Sequence, residues 1–540
     1  MPKESFADRL RAAMEKQNMK QVDLVRAAAS AGVKLGKSHV SQYVSGKTVP
    51  RTDILIFLAQ TLHTDSEWLL GHDQDSAFSE FSTAGFQTDA RKKSAFSQTA
   101  ESAVAPPASS AAYSEPSRSE SGSAGTNTYS TGGITMREFK KSAKLDNVLY
   151  DVRGPVVEEA GRMEEAGTHV LKLNIGNPAP FGFRTPDEVI YDMRQQLTEC
   201  EGYSDAKGLF SARKAIMQYA QLKHIPNVSI GDIYTGNGVS ELINLSMSAL
   251  LDNGDEILIP SPDYPLWTAS VTLAGGTAVH YICDESSEWY PDLEDMEKKI
   301  TDKTKAIVII NPNNPTGAVY PKEILEKIAD MARRHELIIF SDEIYDRLLM
   351  DGVEHTSIAS LCPDVFCITL NGLSKSHRIA GFRVGWMTLS GDKSRVKGYI
   401  EGLNMLSSMR LCSNVPSQYI IKYALGDYTK TDDLLLPGGR IYDQREYIYN
   451  ALNSIDGLSA VKPKAAFYIF PKIDAKRFNI TNDEQFVLDF LREKKILLVH
   501  GGGFHWEQPD HFRIVYLPKL EDLEYSMNEM RDFLKDYKQK

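Results

Sequence analysis

Apolar positions change their period twice along this chain. From Phe6 to Leu70 they recur at helical spacing in four short blocks. Phe6, Leu10 and Met14 mark the first. Residues 21–29 form the second, with Val22 and Val25 turned inward, and a turn at Gly32 follows. Residues 38–46 form the third, capped by Ser38 and stopped by Gly46 ahead of Pro50. Ile54, Leu55, Leu58 and Leu62 mark the fourth, and Trp68, Leu69 and Leu70 close the set. Side chains three and four apart share a helix face, so the pattern predicts four amphipathic helices around one small core. Beyond residue 141 the pattern becomes short apolar runs at 170–173, 256–259, 306–310, 337–340 and 365–370. Each leads into polar, Gly or Pro residues and then a helical pattern. That alternation predicts an α/β fold with a mostly parallel sheet. Residues 72–141 carry neither period. Ser, Ala, Gly, Thr and Pro dominate there, which predicts a flexible tether. Its four phenylalanines, Phe78, Phe81, Phe86 and Phe96, mark weakly ordered segments or a short docking motif.

Length and charge refine this division. At 540 residues with 42% apolar content, the chain is globular and holds more than one domain. No run approaches the roughly 20 apolar residues that span a bilayer, and the N-terminus has no apolar signal-peptide core. The five cysteines are scattered, odd in number and without metal-ligand pairing, which predicts reduced thiols in a cytoplasm. Residues 1–71 carry ten Lys+Arg against seven Asp+Glu, a balance of +3, so the rest of a chain of net charge -11 carries -14. An asymmetry of that sign allows contact with nucleic acid at the N-terminal segment only.

The candidate chemistry follows the predicted strands. In open α/β sheets ligands bind beyond the strands' carboxyl ends. After 306–310 comes Asn-Pro-Asn-Asn-Pro-Thr-Gly (311–317), and after 337–340 comes Ser-Asp-Glu-Ile-Tyr-Asp (341–346). After 365–370 comes Asn-Gly-Leu-Ser-Lys-Ser (371–376), then Gly-Phe-Arg-Val-Gly-Trp (381–386). A lysine delivered into an interior, as Lys375 would be, is partly desolvated, which favours its neutral, nucleophilic amine. Thr-Gly-Asn-Gly-Val-Ser-Glu (235–241) is a Gly-rich turn into a helix over 242–251, and free N–H groups at such a start suit a phosphate. Arg513 sits on a short strand near the C-terminus. Each signal alone has a plain reading: a snorkelling lysine, a tight turn, an exposed strand end. Packing does not explain all five in this order.

Residues 1–71 resemble the helix-turn-helix domains of the phage-repressor and Cro class through Gln21, Val40-Ser41, Gly46-Lys47, Pro50 and residues 68–71. The resemblance implies a second motif helix entering the major groove by its N-terminal residues. Lys37, His39, Ser41 and Gln42 would then face base edges, with Lys47 and Arg51 on phosphates. The connection over 30–37 is longer than the usual tight turn of that class. A helical bundle used for dimerisation or protein contact is the alternative reading.

Residues 142–540 resemble, over their whole length, a class I pyridoxal-phosphate aminotransferase of fold type I. Residues 150–167, 171–183, 262–269, 478–480 and 501–506 are similar to bacterial glutamate–pyruvate (alanine) aminotransferases. The resemblance implies a large parallel-sheet domain, a smaller α/β domain and a homodimer with shared active sites. It implies that Lys375 holds the cofactor as a Schiff base and then serves as general base and acid. Asp342 would pair with the ring nitrogen, Tyr345 and Asn314 with the ring oxygen, and Tyr264 would stack on the ring. Backbone N–H groups of Gly238, Val239 and Ser240 would take the phosphate, aided by Ser374, Arg383 and Tyr203 from a partner subunit. Arg513 would clamp the substrate α-carboxylate, and Gly176 would let backbone approach the substrate. Many class members carry a phosphate-binding serine where this chain has Gly372. Arg410, ahead of Ser413-Asn414-Val415-Pro416, is either a partner for a substrate side-chain carboxylate or a structural salt bridge. The expected activity is ping-pong transfer between alanine/pyruvate and glutamate/2-oxoglutarate. The alternative is a transcription regulator whose aminotransferase-like domain senses pyridoxal phosphate or an amino acid.

Overall fold

The structure is a computed structural model that describes residues 5–30, 33, 35–50, 52–64, 68–69, 139–145, 148, 154–426 and 432–540. The chain divides into two units, Met1–Thr131 and Gly132–Lys540. Gly32, Arg51, Leu70 and the predicted tether up to residue 138 lie outside the described residues.

The first unit is a small helical core. Helix α1 (Phe6–Lys16) opens with a capping box: Ser5 Oγ accepts the Asp8 N–H at 3.3 Å, and the Asp8 carboxylate accepts the Ser5 N–H at 3.1 Å. It buries Phe6, Leu10 and Met14, as the spacing predicts. Helix α2 (Gln21–Ser30) corrects one expectation. Leu24 and Ala28, four apart, are its buried stripe, while Val22 is 44% exposed and Val25 half-buried. Helix α3 (Lys37–Val44) starts at Gly36, so Ser38 lies inside it rather than capping it. Helix α4 (Thr52–Thr61) adds Ile54, Leu55 and Leu58, and Leu62 and Leu69 complete the core.

The second unit is built on an eight-stranded sheet. Strand β1 (Leu171–Lys172) stands outside it. In the sheet are β2 (Ile233–Asn237), β3 (Glu256–Ser261), β4 (Thr277–Asp284), β5 (Tyr290–Pro291), β6 (Thr304–Ile310), β7 (Ile338–Asp342), β8 (Cys367–Gly372) and β9 (Val384–Ser390). Their order is β2-β9-β8-β7-β6-β3-β4-β5. β9 runs against both β2 and β8, and β5 against β4; the other pairs are parallel. Along β6, Ala306, Val308 and Ile310 enter one core while Ile307 and Ile309 enter another. With both faces covered, the strand has no polar face and reads as a continuous apolar run. Helix α5 (Val239–Leu250) covers one of those faces with Leu242, Ile243 and Met247.

The run at 170–173 departs from this plan. Val170 and Leu173 are buried at its ends, while Leu171 is half-buried and Lys172 exposed between them, unlike fully buried strands of the large sheet such as β8 and β9. β1 pairs outside the large sheet. The smaller layer holds β10 (Leu458–Ser459), β11 (Tyr468–Ile469), β12 (Lys472–Ile473), β13 (Ile496–Leu497), β14 (Val499–His500) and β15 (Phe512–Val515). There β13 receives β1 in parallel, and β11-β15-β14 form an antiparallel trio.

β2 and β8 each oppose β9, so they point the same way. The carboxyl ends of β2, β3, β6, β7 and β8 and the start of β9 therefore meet at one edge of the sheet. The smaller layer faces that edge through β1 and β15, because Leu173 O accepts the Val515 N–H at 3.0 Å. All five cysteines are free thiols, as expected.

Candidate active site

A cavity of about 180 Å³ opens at this edge. It gathers Gly176, Val239, Ser240, Tyr264, Asn314, Asp342, Tyr345, Ser374, Lys375, Arg383 and Arg513, all expected from sequence. Gly238 lies directly behind the Val239 turn.

The floor is acidic. Asp342 ends β7 and is buried. Its oxygens accept the Trp267 Nε1–H at 3.2 Å and the Ile344 N–H at 3.3 Å, both neutral donors. Burial raises its carboxyl from 3.8 to about 6, because those two bonds do not offset the lost hydration. Among the described residues no cation forms an ion pair with it. Behind it Lys223 is gripped by Glu343 and by Asp346 at 2.6 Å, and Tyr219 and Asn371 also donate to Asp346, each at 2.7 Å. This buried network fixes the 341–346 loop from below.

Lys375 lies on a single helical turn, Leu373–Ser376, just past β8. Its Nζ donates to Gly176 O at 2.7 Å. Gly372 leaves no room for a side chain: a Cβ there would lie 2.5 Å from Val384 O, across the β8–β9 pair. The expected departure from a serine at this position therefore has a steric basis. Ser374 is buried at the cavity wall.

One end of the cavity is an anion cradle. Gly238 caps α5 at φ 82°, and a Cβ there would meet Arg383 Nη2 at 2.2 Å. Arg383 itself is fixed by Ala380 O at 2.9 Å and Asn237 O at 3.3 Å. The helix begins at Val239 rather than at the expected residue 242, so the Val239 and Ser240 N–H groups belong to its unpaired first turn.

The cavity wall also holds a guanidinium. Arg513 on β15 is buried, with Nη1 donating to Asn314 Oδ1 at 2.9 Å and Nη2 to Asn174 O. Its guanidinium carbon lies 4.6 Å from the ring centres of both Tyr468 and Phe504. Its Nε has no partner, and among the described residues no carboxylate pairs with it. Burial lowers its proton affinity, the mark of a charge held without a counter-ion.

Tyr468 is the polar lining residue that sequence reasoning missed, beside the apolar Ile175, Ile243, Ile310, Ile344 and Ala380. Its hydroxyl pairs with that of Tyr345 at 2.8 Å. A Cβ at Gly176 would lie 2.0 Å from the same oxygen, so Gly176 makes space for Tyr468 as well as offering its carbonyl to Lys375. In sequence, Tyr468 sits in the aromatic run 467–470 and resembles plain core.

Two expected residues stand outside this lining. Tyr203 is 82% exposed. Arg410 pairs with Glu241 and donates to Thr235 O at 2.6 Å and Ala206 O at 3.2 Å. In the N-terminal unit, Lys37, His39, Ser41, Gln42 and Lys47 are all exposed, along α3 and just past it, while Val40 turns into the core.

Comparison with known proteins agrees with this geometry. Residues 168–528 match the model for aminotransferase class I and II. The chain belongs to that family. Residues 10–69 match a helix-turn-helix model. Glutamate-pyruvate aminotransferase AlaA of Escherichia coli (strain K12) is 59% identical over 404 residues, 75% of this chain and 100% of that protein. Alanine aminotransferase of Mycobacterium tuberculosis is 52% identical over 405 residues, 75% of this chain and 94% of that one. Among solved structures, an aminotransferase from Escherichia coli superposes with a TM-score of 0.74 at 59% identity, covering 75% of this chain and all of that one. An alanine aminotransferase from Pyrococcus furiosus gives 0.68 at 39% identity, covering 74% of this chain and 100% of its own. This aminotransferase thus has the expected fold: a large mostly parallel sheet with a smaller α/β layer, preceded by a helix-turn-helix unit.

Proposed function

We propose that this aminotransferase uses pyridoxal phosphate to exchange amino groups between L-alanine/pyruvate and glutamate/2-oxoglutarate. The observation that carries the reading is the convergence of Lys375, Asp342 and Arg513 on one cavity. The named activities of the relatives from Escherichia coli and Mycobacterium tuberculosis support the substrate pair.

The residues present fit the cofactor. Asp342 is a buried carboxylate with only neutral donors, and a protonated ring nitrogen is the cation that would relieve it. The Gly238 turn, where a Cβ would strike Arg383, is shaped for a phosphate at a helix start. Tyr345 and Asn314 would hold the ring oxygen, Tyr264 the ring face, and Ser374 and Arg383 the phosphate beside Gly238, Val239 and Ser240. When bound, the cofactor supplies a carbonyl that exchanges with the substrate amine and a ring that accepts the electron pair left at Cα.

The chain supplies the rest. Arg513 offers its open Nε edge to the substrate α-carboxylate, and the flanking Tyr468 and Phe504 rings exclude water there. Lys375 Nζ would take the proton from substrate Cα as general base and release it again as general acid, with Gly176 O orienting the amine. Gly176 also keeps the substrate side of the cavity narrow, because Tyr468 fills the space beside it. A homodimer is part of the reading: Tyr203 is exposed, as are Met405, Met409 and Leu411, and a second copy would cover them.

The N-terminal unit is read as a tethered DNA-binding domain of regulatory role, supported by the helix-turn-helix match and the exposed polar edge of α3. A cytoplasmic location suits both halves; among the described residues no helix is long and apolar enough to cross a membrane. The enzyme reading is tested with a panel of amino donors against pyruvate and 2-oxoglutarate. Alanine and glutamate should lead by kcat/KM, and failure of either to react would remove the proposed pair.

A further inference from the structure

Arg410 caps the helix α6 (Lys397–Met409) and reaches the base of the anion cradle. Its Nη1 pairs with Glu241, and its Nη2 donates to Thr235 O at 2.6 Å, inside β2. Glu241 is the third residue of α5. Its carboxylate turns back to accept the Asn237 N–H at 2.7 Å and the Asn237 Nδ2–H at 3.0 Å. Asn237 in turn accepts the Asn414 N–H at 2.8 Å through Oδ1, and its carbonyl helps fix Arg383. The Arg410 and Glu241 side chains are largely shielded, at 12% and 24% exposure.

This arrangement contains a conflict. A carboxylate in the first helical turn is favourable to the bare helix, but it shares that turn with the N–H groups facing the anion cradle. Like charges so close in a partly dehydrated site repel. Arg410 answers the conflict twice, by neutralising Glu241 and by tying the middle of β2 to α6. We propose that Arg410 is a positioning residue for the phosphate-facing turn, holding Glu241 and the 235–238 segment so that α5 can receive a dianion. The proposal rests on the reading that the Gly238 turn takes the cofactor phosphate. It assigns Arg410 to the cradle of its own chain rather than to a substrate side-chain carboxylate.

The test uses the full-length apoenzyme and equilibrium binding of pyridoxal phosphate and of pyridoxal, which lacks the phosphate. The proteins are wild type, Arg410→Met, Glu241→Gln and the double variant. Arg410→Met should weaken pyridoxal phosphate by about tenfold or more while pyridoxal changes by less than about twofold. The double variant should recover most of the loss, because a glutamine keeps one of the two acceptors for Asn237 and leaves no bare carboxylate. Equal losses for both ligands, without recovery in the double variant, would mean general damage and overturn the proposal. Unchanged cofactor binding in Arg410→Met with a raised KM for glutamate and 2-oxoglutarate alone would place Arg410 on the substrate and overturn it too. If wild type itself binds both ligands equally, the phosphate gains nothing from the cradle, and the underlying reading of the turn fails.

Discussion

Asp342 should make the apoenzyme less stable as pH rises, and Asp342→Asn should remove that dependence. The folded carboxyl titrates near 6 against an ordinary 3.8. Between those values the folded state holds more protons than the unfolded chain, so stability falls as pH rises through the window. At ~1.4 kcal/mol for each factor of ten in the proton equilibrium, the full effect is about 3 kcal/mol, of which about 2 kcal/mol falls between pH 4.5 and 7.5. The group is buried, so solvent does not screen it away. In Asp342→Asn, an amide facing the Trp267 and Ile344 donors costs the same at every pH, so that cost cancels when the pH dependence is compared. Urea unfolding of both apoenzymes at one protein concentration, across that range, reads the effect. The stability gap should move in favour of the variant by about 2 kcal/mol as pH rises. A gap that stays flat, or moves the other way, would refute an unpaired buried carboxylate at the cavity floor. The same substitution should weaken cofactor binding, because stability lost in the apoenzyme is the price of a site prepared for a cation.

Three other substitutions probe separate parts. Arg513→Lys keeps the charge but loses the planar fork, so kcat/KM for alanine and glutamate should fall about a hundredfold with cofactor affinity unchanged, read by steady-state kinetics and cofactor titration. Gly176→Ala places a Cβ 2.0 Å from the Tyr468 hydroxyl and should destabilise the fold by about 1–3 kcal/mol in urea unfolding while reducing turnover. If the N-terminal unit grips DNA phosphates, Lys47→Ala should lower the slope of log affinity against log salt by about one; an unchanged slope would remove Lys47 from the contact.

Much of the site was legible because the sheet is parallel. Buried strands there read as unbroken apolar runs, and the residues past their carboxyl ends are where ligands sit. Asn314, Asp342 and Lys375 each follow such a run, and Gly238 announces a helix start by needing φ 82°. Partners that meet only in the folded chain were not legible. Trp267 reaches Asp342 from a different element, and nothing in the 262–269 segment signals it. Tyr468 sits on an edge of the smaller layer among other aromatics, and its role follows from its contact with Gly176. Lys223 reads as a surface lysine at the end of an amphipathic helix, yet two buried carboxylates hold it. Val22 shows the same limit on a smaller scale: helical spacing gives candidate faces, and the neighbours decide which face is buried. The run at 170–173 was apolar enough to read as a strand of the large sheet, but it pairs with β13 in the smaller layer, a partner far away in sequence.

Lys375 should move the substrate Cα proton in a site that accepts L-alanine. Exchange of the alanine Cα hydrogen in deuterated water, followed by proton NMR with the cofactor-loaded full chain, tests it most directly. Wild type should wash out the Cα hydrogen and release pyruvate, and Lys375→Ala should do neither while still binding pyridoxal phosphate. Equal exchange in wild type and Lys375→Ala, or no exchange in wild type, would contradict the account.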